Sequence, residues 1–209
     1  MAVCFTPREI SEKYDRFAQW YDFVEGVPDL LGVRKLRQRL LRRASGKVLE
    51  VAVGTGKNLL YYPEGCQITA VDLSDGMLTV ARKRADKHSL PISFALMDTE
   101  KLGFPDECFD TVVSSLSTCT FPNPVIALKE MARVCRRQGR ILLLEHGRSD
   151  RQWLRRWQDR HADQFAKPLG CHWNREPLEL VCEAGLEVVE TGRIFFGIFH
   201  QIEAKPSQG

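Results

Sequence analysis

Apolar residues come in short runs separated by polar or glycine-bearing turns. The runs at 47–53, 67–72, 91–96, 109–114 and 139–145 have strand length and are apolar nearly throughout. Continuous apolarity marks strands buried on both faces, as in a parallel sheet with helical crossovers. Helical stretches lie between them. Ser74 is placed to cap a helix through His88. Asn123-Pro124 reads as an N-cap followed by proline at the first helical position, opening a helix to Arg137, with Gly139 closing it. Asn174 is positioned to cap a helix to Ala184, stopped by Gly185. Strands at 186–191 and 193–203 follow with only Gly192 between them, and so short a link permits only an antiparallel hairpin. Residues 1–45 look helical and amphipathic. No repeat, low-complexity tract or linker interrupts the chain. The expectation is one α/β domain over 1–209: a doubly wound, seven-stranded, mostly parallel sheet with an antiparallel last strand.

The first strand carries the chemistry. Val48-Leu49-Glu50-Val51-Ala52-Val53-Gly54-Thr55-Gly56-Lys57-Asn58-Leu59 reads as a buried strand, a glycine turn and a helix start. Such a turn lets backbone N–H groups approach a ligand closely. Asp72 ends the next strand. A glycine loop with an acid one strand later is how a doubly wound fold holds a nucleoside. A phosphate-gripping P-loop is excluded twice over: Asn58 follows Gly56-Lys57, and Val51 occupies the first glycine position. A dinucleotide fingerprint would need glycine where Leu59 stands.

The set Glu50-x-Ala52-x-Gly54-x-Gly56 resembles the first motif of the class I S-adenosylmethionine (SAM) methyltransferases, with Ala52 in place of a glycine. Ala70-Val71-Asp72-Leu73-Ser74-Asp75-Gly76-Met77-Leu78 resembles their second motif. Met97-Asp98-Thr99-Glu100-Lys101-Leu102-Gly103-Phe104-Pro105-Asp106, followed by Phe109-Asp110-Thr111-Val112-Val113, resembles the third. The reversed last strand also belongs to that fold. The resemblance implies SAM as cofactor and S-adenosylhomocysteine as product. It implies Gly54 and Gly56 under the methionine and ribose, Asp72 accepting from the ribose hydroxyls, and Met77 on the adenine face. Asp98 and Thr99 fall at the adenine edge. Glu50, Ala52, Asn58, Leu73, Ser114 and Ser115 complete the expected cofactor set. Tyr14-Asp15-Arg16-Phe17-Ala18-Gln19-Trp20-Tyr21-Asp22 resembles the Y-D-x-x-A-x-x-Y-D segment of quinone and phospholipid methyltransferases, whose tyrosines close over the cofactor's charged end. Residues 1–45 are therefore expected as a lid, 46–209 as the SAM-binding core, and 150–175 as a substrate-side insertion.

Methyl transfer needs in-line positioning more than acid–base help, and a base only where the acceptor must lose a proton. His146, His172 and Tyr21 are the expected catalytic groups. Each histidine also fits a purely structural role. Cys119 reads as a lone cysteine on a loop, and no metal site is expected.

Composition narrows the setting. The seven cysteines are odd in number and form no C-x-x-C pair, which argues against a disulfide framework or structural zinc and for a reducing compartment. No apolar run approaches the roughly 18 residues of a membrane span, and the N-terminus lacks the apolar core of a signal peptide. A cytoplasmic protein is expected. The net charge of +3 does not by itself imply nucleic acid, and no such partner is expected. The basic residues are unevenly spread. One cluster spans Arg34 to Arg43. The other is Arg148, Arg151, Arg155, Arg156 and Arg160, interleaved with Trp153, Leu154 and Trp157. Either fits a solvated helix face or peripheral contact with an anionic membrane.

The acceptor is less legible. Gly56-x-Asn58-x-x-x-Tyr62-Pro63-x-Gly65-Cys66, Leu144-Glu145-His146 and Gly170-Cys171-x-x-Asn174-Arg175-Glu176 are similar to segments of the small thiol methyltransferases of the methyltransferase-like group. These motifs imply a small lipophilic or thiol-bearing acceptor. Phospholipid amine methylation and quinone ring methylation are the alternatives, and a non-catalytic SAM-binding module is a third. Oligomeric state is left open.

Overall fold

Strand β1 (Lys47–Val51) lies in the middle of the sheet and pairs in parallel with β2 (Gln67–Asp72) on one side and β4 (Phe109–Ser115) on the other. These pairings come from a computed structural model that describes residues 5–24 and 32–207. The full order is β3-β2-β1-β4-β5-β7-β6, with β3 at Ile92–Leu96, β5 at Cys135–His146, β6 at Leu186–Ile194 and β7 at Phe199–Pro206. Only β7 runs against its neighbours β5 and β6. The seven-stranded, mostly parallel sheet with a reversed last strand therefore stands as expected.

Consecutive residues of a strand face opposite sides. Leu49, Val112 and Leu143 pack on one side with α4 (Pro124–Val134) and α6 (Pro177–Glu183) through Leu128, Met131 and Val181. Their neighbours Val48, Val113, Leu142 and Leu144 pack on the other side against α2 (Arg34–Leu41) through Leu40 and Leu41. Farther along that side, Ala70 meets Leu78, Ala81 and Ala85 of α3 (Asp75–Lys87). Both faces are covered, which explains the unbroken apolar runs. The chain leaves β1 toward β2 and returns on the far side as β4. The crevice at the carboxyl ends of β1 and β4 is thus the topological switch point, where such sheets bind ligands.

Several boundaries differ from the sequence reading. Strand β1 stops at Val51 rather than 53 because Ala52 turns to φ 48°. Ser74 caps α3 as expected, its hydroxyl accepting from Met77 N–H at 3.0 Å. Helix α4 ends at Val134, not Arg137. Residues from Cys135 are extended, and Gly139 lies within β5, where a Cβ would come within 2.8 Å of the Asp110 carbonyl. Ion pairs from Arg136 to Asp110 and from Arg137 to Glu107 hold this stretch to its neighbours. Asn174 does not cap α6. Glu176 takes that position before Pro177, and the Asn174 amide donates to Asp159 at 3.3 Å. Gly192 sits inside β6 paired with Gln201. The reversal comes at Phe195, Phe196 and Gly197, all at positive φ.

Of residues 1–45, Pro7–Val24 forms α1 and Arg34–Leu41 forms α2. Residues 1–4 and 25–31, Cys4 among them, lie outside the described residues. Helix α5 (Gln152–Leu169) fills most of the expected insertion and reaches α1, where Lys13 Nζ donates to the Lys167 carbonyl at 2.7 Å.

Candidate cofactor pocket

The loop after β1 is shaped by positive φ at Ala52, Gly54 and Gly56. The two glycines do different work. A Cβ on Gly54 would meet nothing within 4 Å, so this position opens onto free space. A Cβ on Gly56 would lie 2.7 Å from Leu59 Cδ1 and 3.3 Å from Ala81. Gly56 therefore lets the loop pack on α3 and does not line the pocket. Ala52 holds the left-handed conformation despite its Cβ, at a cost of about 1–2 kcal/mol.

Asp72 closes the loop from β2. Its carboxylate accepts from Gly54 N–H at 2.8 Å and Ser74 N–H at 2.9 Å, one on each oxygen. Burial raises its pKa from 3.8 to about 6, against the lowering by those backbone donors. Each oxygen keeps acceptor capacity for a ligand. Glu50, on β1, accepts from the Asn58 amide and the Tyr62 hydroxyl, both at 2.8 Å. Burial raises its pKa from 4.5 to about 7, while those hydrogen bonds and Arg37 pull it down. Arg37 donates to Asn58 at 3.2 Å and is itself buried. A helix that reads as a solvated basic face thus sends one arginine inward. Two buried carboxylates with raised pKa values make a site that gains from an arriving cation.

Helix α1 covers this loop. Tyr14 and Tyr21 are seven residues apart, hence on one helical face. Both line the pocket, with ring centroids 6.0 Å apart. Asp15 and Asp22 latch the helix down. Asp15 accepts from the Ser74 hydroxyl at 2.6 Å and Gly76 N–H at 2.9 Å. Asp22 accepts from the Thr55 hydroxyl at 2.6 Å and from Arg84, which also donates to the Thr55 carbonyl. The tyrosines are legible as site residues in the sequence, whereas the latching role of these aspartates is not. Their i, i+7 spacing is the same signal.

The cleft opens to solvent at its mouth and spans about 840 Å³ with that open space included. Of the expected cofactor residues, Tyr14, Tyr21, Glu50, Ala52, Gly54, Asn58, Asp72, Leu73, Met77, Asp98, Thr99 and Ser115 line it. Gly56 and Ser114 do not. Ser114 donates to Glu145 at 2.7 Å and contacts Ser117. Fully buried Glu145 also accepts from Ser117 and Thr118 N–H at 2.9 and 3.1 Å. This carboxylate shapes the loop that forms the opposite wall, through Leu116, Ser117, Thr120, Phe121 and Pro122. The buried Ser115 hydroxyl has no hydrogen-bond partner among the described residues, as suits a wall awaiting a polar ligand.

Neither histidine lines the cleft. His146 ends β5 with Nε2 3.3 Å from Cys171 Sγ. His172 packs its ring on Phe5 at 6.5 Å, and burial lowers its pKa. Of the expected catalytic groups, only Tyr21 is among the described residues that line this cleft. Cys119 is not alone either. It lies beside Cys171, whose thiol is held well below the usual range by their shared hydrogen bond, with His146 adding to the effect.

The reversed strand and a glycine loop with an acid at the switch point define a Rossmann-like nucleoside-cofactor protein of the methyltransferase type. Residues 49–143 match the family described as methyltransferase domain. The chain is 36% identical over 183 residues to a phosphatidylethanolamine N-methyltransferase of Cereibacter sphaeroides, covering 87% of this chain and 89% of that protein. It is 29% identical to the mitochondrial methyltransferase OMS1 of Saccharomyces cerevisiae, covering 95% of this chain but 46% of that protein. A solved SAM-dependent methyltransferase from Thermotoga maritima, a possible histamine N-methyltransferase, shares the fold with TM-score 0.71 at 21% identity, covering 95% of this chain and all (100%) of that one. The chain belongs to the SAM-dependent methyltransferases.

Proposed function

We propose that the protein transfers a methyl group from SAM to the headgroup amine of a phosphatidylethanolamine-type lipid. The motifs alone favour a lipophilic or thiol-bearing acceptor, with the phospholipid amine second. The 36% identity over most of both chains supports reversing that order. The structural observation that carries the reading is an aromatic and basic surface beside the lid. Trp153 is 68% exposed on α5, and Phe196 is 60% exposed on the β6–β7 turn. The two segments are joined, since Asp150 N–H donates to the Phe196 carbonyl at 3.1 Å. Arg156 and Arg160 share the helix with Trp153 and Trp157, and Arg151 stands at its N-cap. Exposed aromatics flanked by arginines suit the boundary of an anionic bilayer. No helix among the described residues is long and apolar enough to cross a membrane.

In this reading Asp72 accepts from the ribose hydroxyls, and Gly54 lets the backbone approach the methionine end. Met77 packs on the adenine, with Asp98 and Thr99 at its edge. Ionised Glu50 offsets the cofactor's positive charge. Tyr14 and Tyr21 cover the charged end from α1, where an aromatic face attracts a cation. SAM supplies an already activated methyl group. The protein's part is to take up the acceptor as the free amine, its proton already lost to bulk water, and then to align it and exclude water. Tyr21 is assigned to orient that amine.

The test is a labelled-methyl assay with phosphatidylethanolamine vesicles, a small thiol and a demethylated quinol side by side. Label in the lipid alone is expected. Label in the thiol or quinol alone would replace this acceptor, and label in none despite SAM binding would point to a non-catalytic module.

A further inference from the structure

Two sulfur donors and one imidazole converge outside the lining of the cofactor cleft. Cys119 comes from the loop after β4, His146 from the end of β5, and Cys171 from the segment after α5. Their two Sγ atoms and one ring nitrogen lie within 4.8 Å of one another. The Cys171 Sγ to His146 Nε2 distance is 3.3 Å. Zinc bonds of about 2.3 Å to sulfur and 2.0–2.1 Å to nitrogen put tetrahedral donors about 3.6 Å apart for S–N and about 3.8 Å for S–S. Movements of a few tenths of an ångström would meet the S–N value.

The backbone around the cluster is held by contacts that do not involve the donors. His172 N–H donates to the Cys119 carbonyl at 2.9 Å. Arg175 donates to the Phe121 carbonyl at 2.8 Å and also to that of Thr118. Gly170, at φ 70°, ends α5 and turns the chain toward Cys171. Cys119 is buried, whereas His146 and Cys171 are partly exposed, so the cluster has a deep side and a solvent side. None of the three lines the cofactor cleft.

We propose that Cys119, His146 and Cys171 form a binding site for a thiophilic metal ion, with zinc as the probe. Two sulfurs and an imidazole select zinc or copper(I) over the hard cations. On binding, each thiol loses its proton to solvent, and the neutral imidazole donates through Nε2. Three protein ligands leave a fourth position for water or an exogenous donor on the exposed side. The ion would clamp three chain segments, one of them the 116–122 loop that lines the cleft. The proposal is independent of the acceptor.

The test uses full-length protein purified under reducing conditions, stripped with chelator and titrated with zinc against a chromophoric competitor. Equimolar zinc is expected. Cobalt(II) in its place should give thiolate-to-metal charge-transfer absorption. Cys119→Ser, Cys171→Ser and His146→Ala should each weaken zinc binding by more than the roughly 10–100-fold typical of losing an outer-shell partner. Cys182→Ser, at an exposed cysteine, should leave it unchanged. Circular dichroism identifies any variant that fails to fold, and the partly exposed Cys171 and His146 positions keep the test open if Cys119→Ser does. Absence of zinc binding by folded, reduced wild type would overturn the proposal. So would unchanged affinity in the folded variants, or air oxidation to a Cys119–Cys171 disulfide that binds no metal when re-reduced.

Discussion

Replacing Asp72 with Asn separates the two jobs assigned to that carboxylate. In the free protein the side chain is buried, and a pKa raised from 3.8 to about 6 corresponds to about 3 kcal/mol against the ionised form near neutral pH. Asn removes that cost. It also places an amide NH2 against one of the two backbone N–H groups at 2.8 and 2.9 Å, leaving a buried donor unpaired at about 1–3 kcal/mol. The terms oppose each other, so thermal stability without cofactor should change little. SAM binding has no such offset. Loss of a charged acceptor to the ribose costs about 1.5–3 kcal/mol, or roughly 10–150-fold in Kd. Isothermal calorimetry with SAM and a thermal melt of the cofactor-free protein make the pair of measurements. Unchanged SAM affinity in a folded variant would refute the role given to Asp72. A large stability loss with proportionate loss of binding would make it structural only.

The raised carboxylates predict opposite pH trends. Glu50 rises from 4.5 to about 7, so its contribution to stability is full below pH 4.5, falls as pH rises toward 7 and is gone above it; the cofactor-free melting temperature should decline between about pH 4.5 and 7 and level off beyond. SAM affinity should move the other way, falling about tenfold by one pH unit below the Asp72 value of about 6, and a flat calorimetric profile would contradict it. Asp22→Ala should release the lid from Thr55 and Arg84 and raise the Kd for SAM about three- to tenfold, a modest effect because the pair is partly exposed. His172→Gln should leave both SAM affinity and turnover within about threefold in a steady-state assay, since the ring is outside the cleft; a hundredfold loss of turnover, the scale of a missing general base, would restore it as one. Trp153→Ala with Phe196→Ala should cut sedimentation with anionic vesicles at low salt without altering SAM binding, and unchanged sedimentation would remove the surface argument.

The sheet was legible because its strands are buried on both faces and appear as unbroken apolar runs. The cofactor side was legible because Glu50, Gly54, Asp72 and Asp98 sit on three successive β-strand ends, so local spacing carries their geometry. Boundaries failed where tertiary contacts outweighed local preference. Gly139 looks like a helix stop, yet it is the close-approach point of β5 against the Asp110 carbonyl. Gly192 looks like a turn, yet the reversal uses two phenylalanines at positive φ, which few sequence rules anticipate. Arg37 hid in a basic run because helical phase alone did not reveal which arginine turns inward. His146, Cys119 and Cys171 come from three separate segments, and nothing local signals that they meet. Glu145 was visible as a strand-end acid, but its role in holding the 116–118 loop depends on backbone donors that only the folded chain supplies.

The central claim is methyl transfer from SAM to a phospholipid amine. Labelled SAM can be incubated with the protein and with two vesicle preparations of equal anionic charge. One carries phosphatidylethanolamine; the other carries the same lipid with its amine already fully methylated. Mass spectrometry of the extracted lipid should find label on the phosphatidylethanolamine nitrogen in the first and none in the second. Unlabelled lipid in both, from protein that binds SAM, would contradict the account.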